Sequence, residues 1–139
     1  MIKNIKEIVI ASHNKGKVRE IRSLLKPMGL KIYSAKKFTI NEPIEDGKTF
    51  KENSLIKSKN AALKSGIPAI ADDSGLCILS LDNKPGIYSA RWAGRKKNFN
   101  LEINKIENEM RKNKLTNKAA RKAFFCCALS IYFPNNWEL

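Results

Sequence analysis

A chain of 139 residues with 42% hydrophobic content suits one folded domain and excludes a disordered polypeptide. Its net charge of +14 points to anionic partners, among which are nucleic acid, a membrane surface and phosphorylated small molecules. Only six of the 27 basic residues are Arg, and the lysines are scattered along the chain. The bulk charge therefore fits solvated lysine-rich faces equally well, and local placement has to decide. Three cysteines, Cys77, Cys126 and Cys127, are odd in number and two are adjacent. They form neither a disulfide framework nor a zinc pattern and are expected to be buried free thiols in a reducing compartment. The N-terminal "MIKNIKEIVI" interleaves charge too closely for a signal-peptide core. The longest uncharged apolar run, 123–133, falls short of the ~20 residues a spanning helix needs. A soluble, cytoplasmic protein is expected.

In chain order, "KEIVIA" (6–11) predicts a short buried strand followed by polar turn chemistry. The next segment places Val18, Ile21, Leu24 and Leu25 at helical spacing, with Pro27 and Gly29 ending the helix. "LKIYS" (30–34) alternates and suits a second strand. "NEPIEDGK" (41–48) is a loop broken by Pro43 and Asp46-Gly47. Thr49-Phe-Lys-Glu52 matches a capping box, so a helix is predicted from Thr49 as N-cap to about Ser65. "PAIA" then predicts a strand, "DDSG" a sharp turn and "LCILSL" a returning strand. "GIYSARWAG" (86–94) is expected as a loop. A Lys- and Glu-laced helix is predicted over 98–113 with Phe99, Ile103 and Ile106 inward, then a long strand over "AFFCCALSIYF". The order β-α-β-α-β-β-α-β predicts an α/β domain over residues 1–139, with a mixed twisted central sheet flanked by helices. Ligands of such sheets sit at the carboxyl ends of strands, where the polar clusters of this chain fall.

Three clusters could carry chemistry. "ASHNKGK" (11–17) passes from a strand end into a helix start, whose unpaired N–H groups and partial positive charge suit phosphate. Ser12 and Asn14 offer hydrogen bonds, and Lys15 and Lys17 bring charge. The spacing is not that of a Walker A loop, and an ordinary N-cap turn with solvated lysines reads the same residues equally well. His13 is the only histidine; without a Ser/Asp or Cys partner nearby in sequence, it is expected as a loop residue rather than a catalytic one. Glu45, in the Pro/Gly loop, is alone unremarkable. Beyond it, Asn53 and Lys57 stand four apart on one helix face, where Lys57 either reaches a phosphate or covers the helix surface. "AIADDSGL" (69–76) sets Asp72 and Asp73 at the end of an apolar strand. Such a pair suits Mg²⁺, which takes one or two carboxylates and bridges to substrate phosphates, and a metal between them would offset their repulsion. The alternative is a turn whose aspartates cap backbone amides.

Together, "ASHNKGKVREI", "EDGKTFKENSLIKSKNAA", "IPAIADDSGL" and "PGIYSARWAG" resemble the inosine triphosphate pyrophosphatase family. The resemblance implies Mg²⁺-dependent hydrolysis of non-canonical purine nucleoside triphosphates (dITP, ITP, XTP) to monophosphate and pyrophosphate. It implies substrate contacts from Ser12, His13, Asn14, Lys15, Gly16, Lys17, Lys57 and Ser74. It further implies a metal held by Glu45 and Asp73 with Asp72 close by, Asp73 as general base, and a homodimer. The resemblance departs at the C-terminus, where an F-G-Y-D-P segment, a downstream Lys and a Ser-His-Arg motif are absent. The expectation is a C-terminally truncated member, either active without full base recognition or an inactive remnant. Phe124, Phe125, Tyr132 and Trp137 are then expected to lack covering partners. A basic nucleic-acid-binding module is the remaining alternative. The lysines are not gathered on one helix and no aromatic-basic interleaving appears, which argues against it. No membrane partner is expected.

Overall fold

The computed structural model describes residues 5–135 and the backbone of 137–138. Trp137 therefore lies outside the described side chains. The chain forms two compact units: one from the N-terminal part through Asp73 together with the segment from Ala128 onward, the other from Ser74 to Cys127.

The first unit is an α/β layer structure. Its strands are β1 (Glu7–Ile10), β2 (Lys31–Ser34), the first half of β3 (Ala69–Ile78), the last part of β5 (Ala123–Phe133) and β6 (Trp137–Glu138), in the order β2-β1-β3-β5-β6. β1 runs parallel to both β2 and β3, while β5 and β6 are antiparallel, so the sheet is mixed as expected. Period-two alternation in the apolar strands selects the faces. Ile8, Ile10 and Ile70 meet Ile21 and Leu25 of helix α1 (Lys15–Leu25) on one side. Each such fully buried aliphatic side chain contributes about 1.5–3 kcal/mol. Val9, Ala11, Ala69 and Ala71 meet Ala61 and Ala62 of helix α2 (Phe50–Ser65) on the other. Leu24, expected inward, is 74% exposed, because the inward stripe of α1 is Ile21 and Leu25.

Helix α2 begins at Thr49, whose hydroxyl accepts from the Glu52 N–H (3.1 Å). The Glu52 carboxylate reaches back to the Lys48 N–H (2.7 Å), one residue before the position a standard capping box uses. The buried face of α2 is small and polar rather than apolar. Asn53, Ser54 and Ser58 are buried with Ala61 and Ala62. Ser54 donates to the Ala71 carbonyl (3.0 Å), and the Ser130 hydroxyl lies 2.8 Å from those of both Ser54 and Ser58. These hydrogen bonds satisfy hydroxyls that burial would otherwise leave costly.

In the second unit, β3 continues without a break to Ile78 and pairs antiparallel with β4 (Lys84–Pro85). The sharp turn expected at "DDSG" is therefore absent, and the reversal falls later, at 79–83, where Asp82 and Asn83 take left-handed backbone (φ 56° and 60°). The segment 86–94 is not a loop: a 3₁₀ turn over Gly86–Tyr88 leads into the short helix α3 (Ser89–Trp92). Buried Ser89 holds the turn, accepting from the Leu76 N–H and donating to the Gly86 carbonyl. Helix α4 (Phe99–Lys112) is where predicted, but its inward stripe is Glu102, Ile106 and Met110. Ile106 is inward as predicted, whereas Phe99 and Ile103 are 68% and 54% exposed. Cys77 is buried as expected, Cys126 is half-buried and Cys127 is exposed, because adjacent residues of β5 alternate in direction. Phe124 and Phe125 are exposed as expected, whereas Tyr132 of the first unit is buried in the α2-side core. Among the described residues, no helix is long and apolar enough to cross a membrane.

Candidate active site

The end of β1 turns at once into α1, and Asn14 is the cap. Its side-chain oxygen accepts from the N–H groups of Gly16 (2.9 Å) and Lys17 (3.2 Å), and its own N–H donates to Ser12 Oγ (3.2 Å). The capping reading of this turn is thus realised, with Asn14 building the loop. The same cap aims the side chain of Lys17 at Asp72 of β3, whose Oδ2 lies 2.6 Å from Lys17 Nζ. Lys15 and Gly16 lie exposed on the first turn. His13 turns toward the 40–42 segment instead: Nε2 donates to the Ile40 carbonyl (2.7 Å), and Nδ1 is 3.7 Å from a Glu42 oxygen. That anchors the loop.

The two adjacent aspartates do not face one another. An extended backbone sends Asp72 to the α1 side with Ile70 and Asp73 to the α2 side with Ala71. In the structure their repulsion is relieved by separation and by a cation beside each. Each has its own lysine: Lys17 for Asp72, and Lys57 of α2 for Asp73 (3.5 Å). Lys57 is also 3.4 Å from Glu45, so one ammonium group joins the 41–48 loop to the strand. Ser74, the next residue of β3, is half-buried and belongs to the second unit.

Burial decides the electrostatics of this cluster. It pushes the Asp73 carboxyl above its ordinary 3.8, against opposition from Lys57, a hydrogen bond from Asn53 and the more distant Lys17. It also raises Glu45 above 4.5, opposed by Lys57 and reinforced by the negative charge of Asp73. Asp73 Oδ2 is buried with no hydrogen-bond partner among the described residues. Two neighbouring carboxylates, one with a buried oxygen still able to accept, fit a hard cation such as Mg²⁺, which uses one or two carboxylates and takes its other ligands from water and phosphate. No group of three or more His, Cys, Asp and Glu that could hold a metal occurs among the described residues. The protein would thus supply part of a shell that substrate completes.

The model of the Ham1 family matches residues 8–139. The chain belongs to the Ham1 family. Among Ham1-type relatives, the dITP/XTP pyrophosphatase of Zymomonas mobilis is 48% identical over 128 residues, covering 92% of this chain and 60% of that protein. The dITP/XTP pyrophosphatase of Gluconobacter oxydans is 43% identical over 129 residues, covering 93% and 60%. The chain thus spans about 60% of the length of these relatives. Among solved Ham1 structures, the HAM1 protein of Coxiella burnetii superposes with a TM-score of 0.80 at 34% identity, over 96% of this chain and 67% of that one. The Ham1 protein of Staphylococcus aureus gives 0.79 at 36% identity, with the same coverage.

Sequence reasoning found Glu45, Lys57 and Asp73 separately, and the structure brings them together. What it missed is Asn53, noted only as a neighbour of Lys57 on one helix face. An Asn in the first turn of a capped helix, beside an Asp-Gly loop, was the available signal.

Proposed function

We propose that this chain is a nucleoside triphosphate pyrophosphatase of the dITP/XTP type, and that Glu45, Lys57 and Asp73 form its hydrolytic centre. The observation that carries the reading is the Glu45–Lys57–Asp73 cluster, with its buried open carboxylate oxygen, in a chain of the Ham1 family. Glu45 and Asp73 would hold Mg²⁺, with Asp72 near the bound phosphates. The ion, when bound, would neutralise phosphate charge and polarise the attacking water.

The chain's own residues do the rest. Water attacks the α-phosphorus, its oxygen forming the new P–O bond as the bond from α-phosphorus to the bridging oxygen of the β-phosphate breaks. Asp73 takes the proton from that water, and the bridging oxygen leaves with pyrophosphate. A carboxyl raised by burial is a better base than an ordinary Asp at neutral pH. Lys17 and Lys57 supply charge to the triphosphate, and the 12–17 turn presents its backbone and Ser12 to it. Ser74 is a further substrate contact. A cytoplasmic homodimer completes the proposal, supported by Phe124 and Phe125, which stand exposed on β5. Sedimentation as a folded monomer at micromolar concentration would remove the dimer.

The test is product analysis. The chain is incubated with dITP, XTP and dATP, with Mg²⁺ or with a chelator. The proposal expects monophosphate and pyrophosphate from dITP and XTP, abolished by chelation, with dATP the poorer substrate. Orthophosphate as the sole product, or no turnover by a chain folded by circular dichroism, would contradict it.

A further inference from the structure

The loop that carries Glu45 is fastened to helix α2 by two consecutive amides. The Gly47 N–H donates to Asn53 Oδ1 (2.8 Å), and the Lys48 N–H donates to Glu52 Oε2 (2.7 Å). Asn53 is 3% exposed, so its carboxamide has no water to fall back on. Its oxygen is taken by the Gly47 N–H, and Asp73 lies close enough for the amide to favour its ionised carboxylate. One carboxamide thus ties the Glu45 loop to α2, the helix that also carries Lys57. Gly47 is required for the fit. A Cβ there would stand 2.6 Å from Asn53 Oδ1, 2.8 Å from Glu52 Cβ and 3.0 Å from the Asn53 nitrogen. Asn53 is itself pinned, its N–H donating to the Thr49 carbonyl (3.1 Å) in the first turn of α2.

We propose that Asn53 is a positioning residue which, through the Gly47 amide, fixes the Glu45 loop at the distance from Asp73 that a shared divalent cation requires. This rests on the metal reading of Glu45 and Asp73 given above. Lys57 spans the same two carboxylates, but a lysine is a flexible point charge that sets no angle. The buried Asn53 carboxamide holds the Gly47 amide in one direction, and groups that orient metal ligands in this way typically change affinity by about 10–100-fold when removed.

Two measurements on the whole chain test it, neither needing turnover. Amide hydrogen exchange reads Gly47 and Lys48 directly, and electron paramagnetic resonance reads Mn²⁺ binding. In Asn53→Ala the Gly47 amide is expected to lose its protection while Lys48 keeps its own, and Mn²⁺ affinity is expected to fall about 10–100-fold. Asn53→Asp retains an acceptor for Gly47 and is expected to keep that protection; it also serves if Asn53→Ala fails to fold. Gly47→Ala is expected to weaken Mn²⁺ binding as Asn53→Ala does. Gly47 protection that survives Asn53→Ala would overturn the clamp. Mn²⁺ affinity unchanged despite a released Gly47 would overturn its role at the site. A parent chain that binds no Mn²⁺ would sink the metal reading itself, and with it that role, while exchange at Gly47 would still decide whether the clamp exists.

Discussion

Replacing Lys57 by Met removes the ammonium group that stands 3.4 Å from Glu45 and 3.5 Å from Asp73. The methionine fills much of the same space, so the loss is chiefly electrostatic. Breaking a buried ion pair by removing one partner costs about 3–5 kcal/mol. The Asp73 side chain is 11% exposed and takes this cost nearly in full, whereas Glu45 at 34% is partly screened by water. The bottom of the range, about 3 kcal/mol at pH 8, is therefore expected. For a chain of this size that is a fall in Tm of about 10 °C. The pH dependence identifies the cause. Burial raises both carboxyls, so the native state binds more protons than the unfolded chain and stability falls as pH rises through the folded pKa values. Lys57 opposes that rise, and its removal pushes both values further up. As pH falls toward these raised values the uncompensated charge is titrated away, so the deficit is expected to be smaller at pH 5 than at pH 8. Adding Asp73→Asn to Lys57→Met is expected to recover more than half of the loss at pH 8. Urea unfolding at both pH values measures all of this. A deficit equal at pH 5 and pH 8, unrelieved by Asp73→Asn, would refute the reasoning.

Ser130→Ala removes the hydroxyl shared by Ser54 and Ser58 and is expected to cost about 1–2 kcal/mol in urea unfolding. The loss stays modest because Ser54 donates to the Ala71 carbonyl and the Ser58 hydroxyl can donate to the Leu55 carbonyl once Ser130 is gone. Thr49→Ala deletes the N-cap of α2 and is expected to cost about 1 kcal/mol, with Thr49→Ser restoring most of it. In the folded chain, a thiol reagent is expected to modify exposed Cys127 quickly and buried Cys77 only on unfolding. Burial pushes the Cys77 thiol above its ordinary value, and mass spectrometry of partial digests reads both sites.

Elements with local signals were legible. β1 and α1 follow from an apolar run and a helical stripe, and α2 from its cap alone. The buried face of α2 has no apolar periodicity, since Asn53, Ser54 and Ser58 face inward, and only the strands opposite reveal why. The reversal after β3 was misplaced because Asp-Asp-Ser-Gly carries turn residues. Lys17 and Lys57, more than ten residues away on two different helices, let an extended strand carry both aspartates instead. The inward stripe of α4 includes a glutamate, Glu102, buried beside Ser89, which apolar spacing could not anticipate. The polar residues of the site were each visible, but their partition into a Lys17–Asp72 pair and a Glu45–Lys57–Asp73 cluster needed the alternation of β3 and the placement of both helices.

The most direct test of the account is single-turnover pyrophosphate release from dITP with Mg²⁺, for the parent chain and for Asp73→Asn, Glu45→Gln and Glu42→Gln. Glu42 shares the loop but faces His13. The account predicts that Asp73→Asn lowers the rate by about 10²–10⁴-fold, the range for loss of a general base. Glu45→Gln should be lowered in a way that added Mg²⁺ partly restores, and Glu42→Gln should match the parent. Asp73→Asn turning over at the parental rate would contradict the central claim.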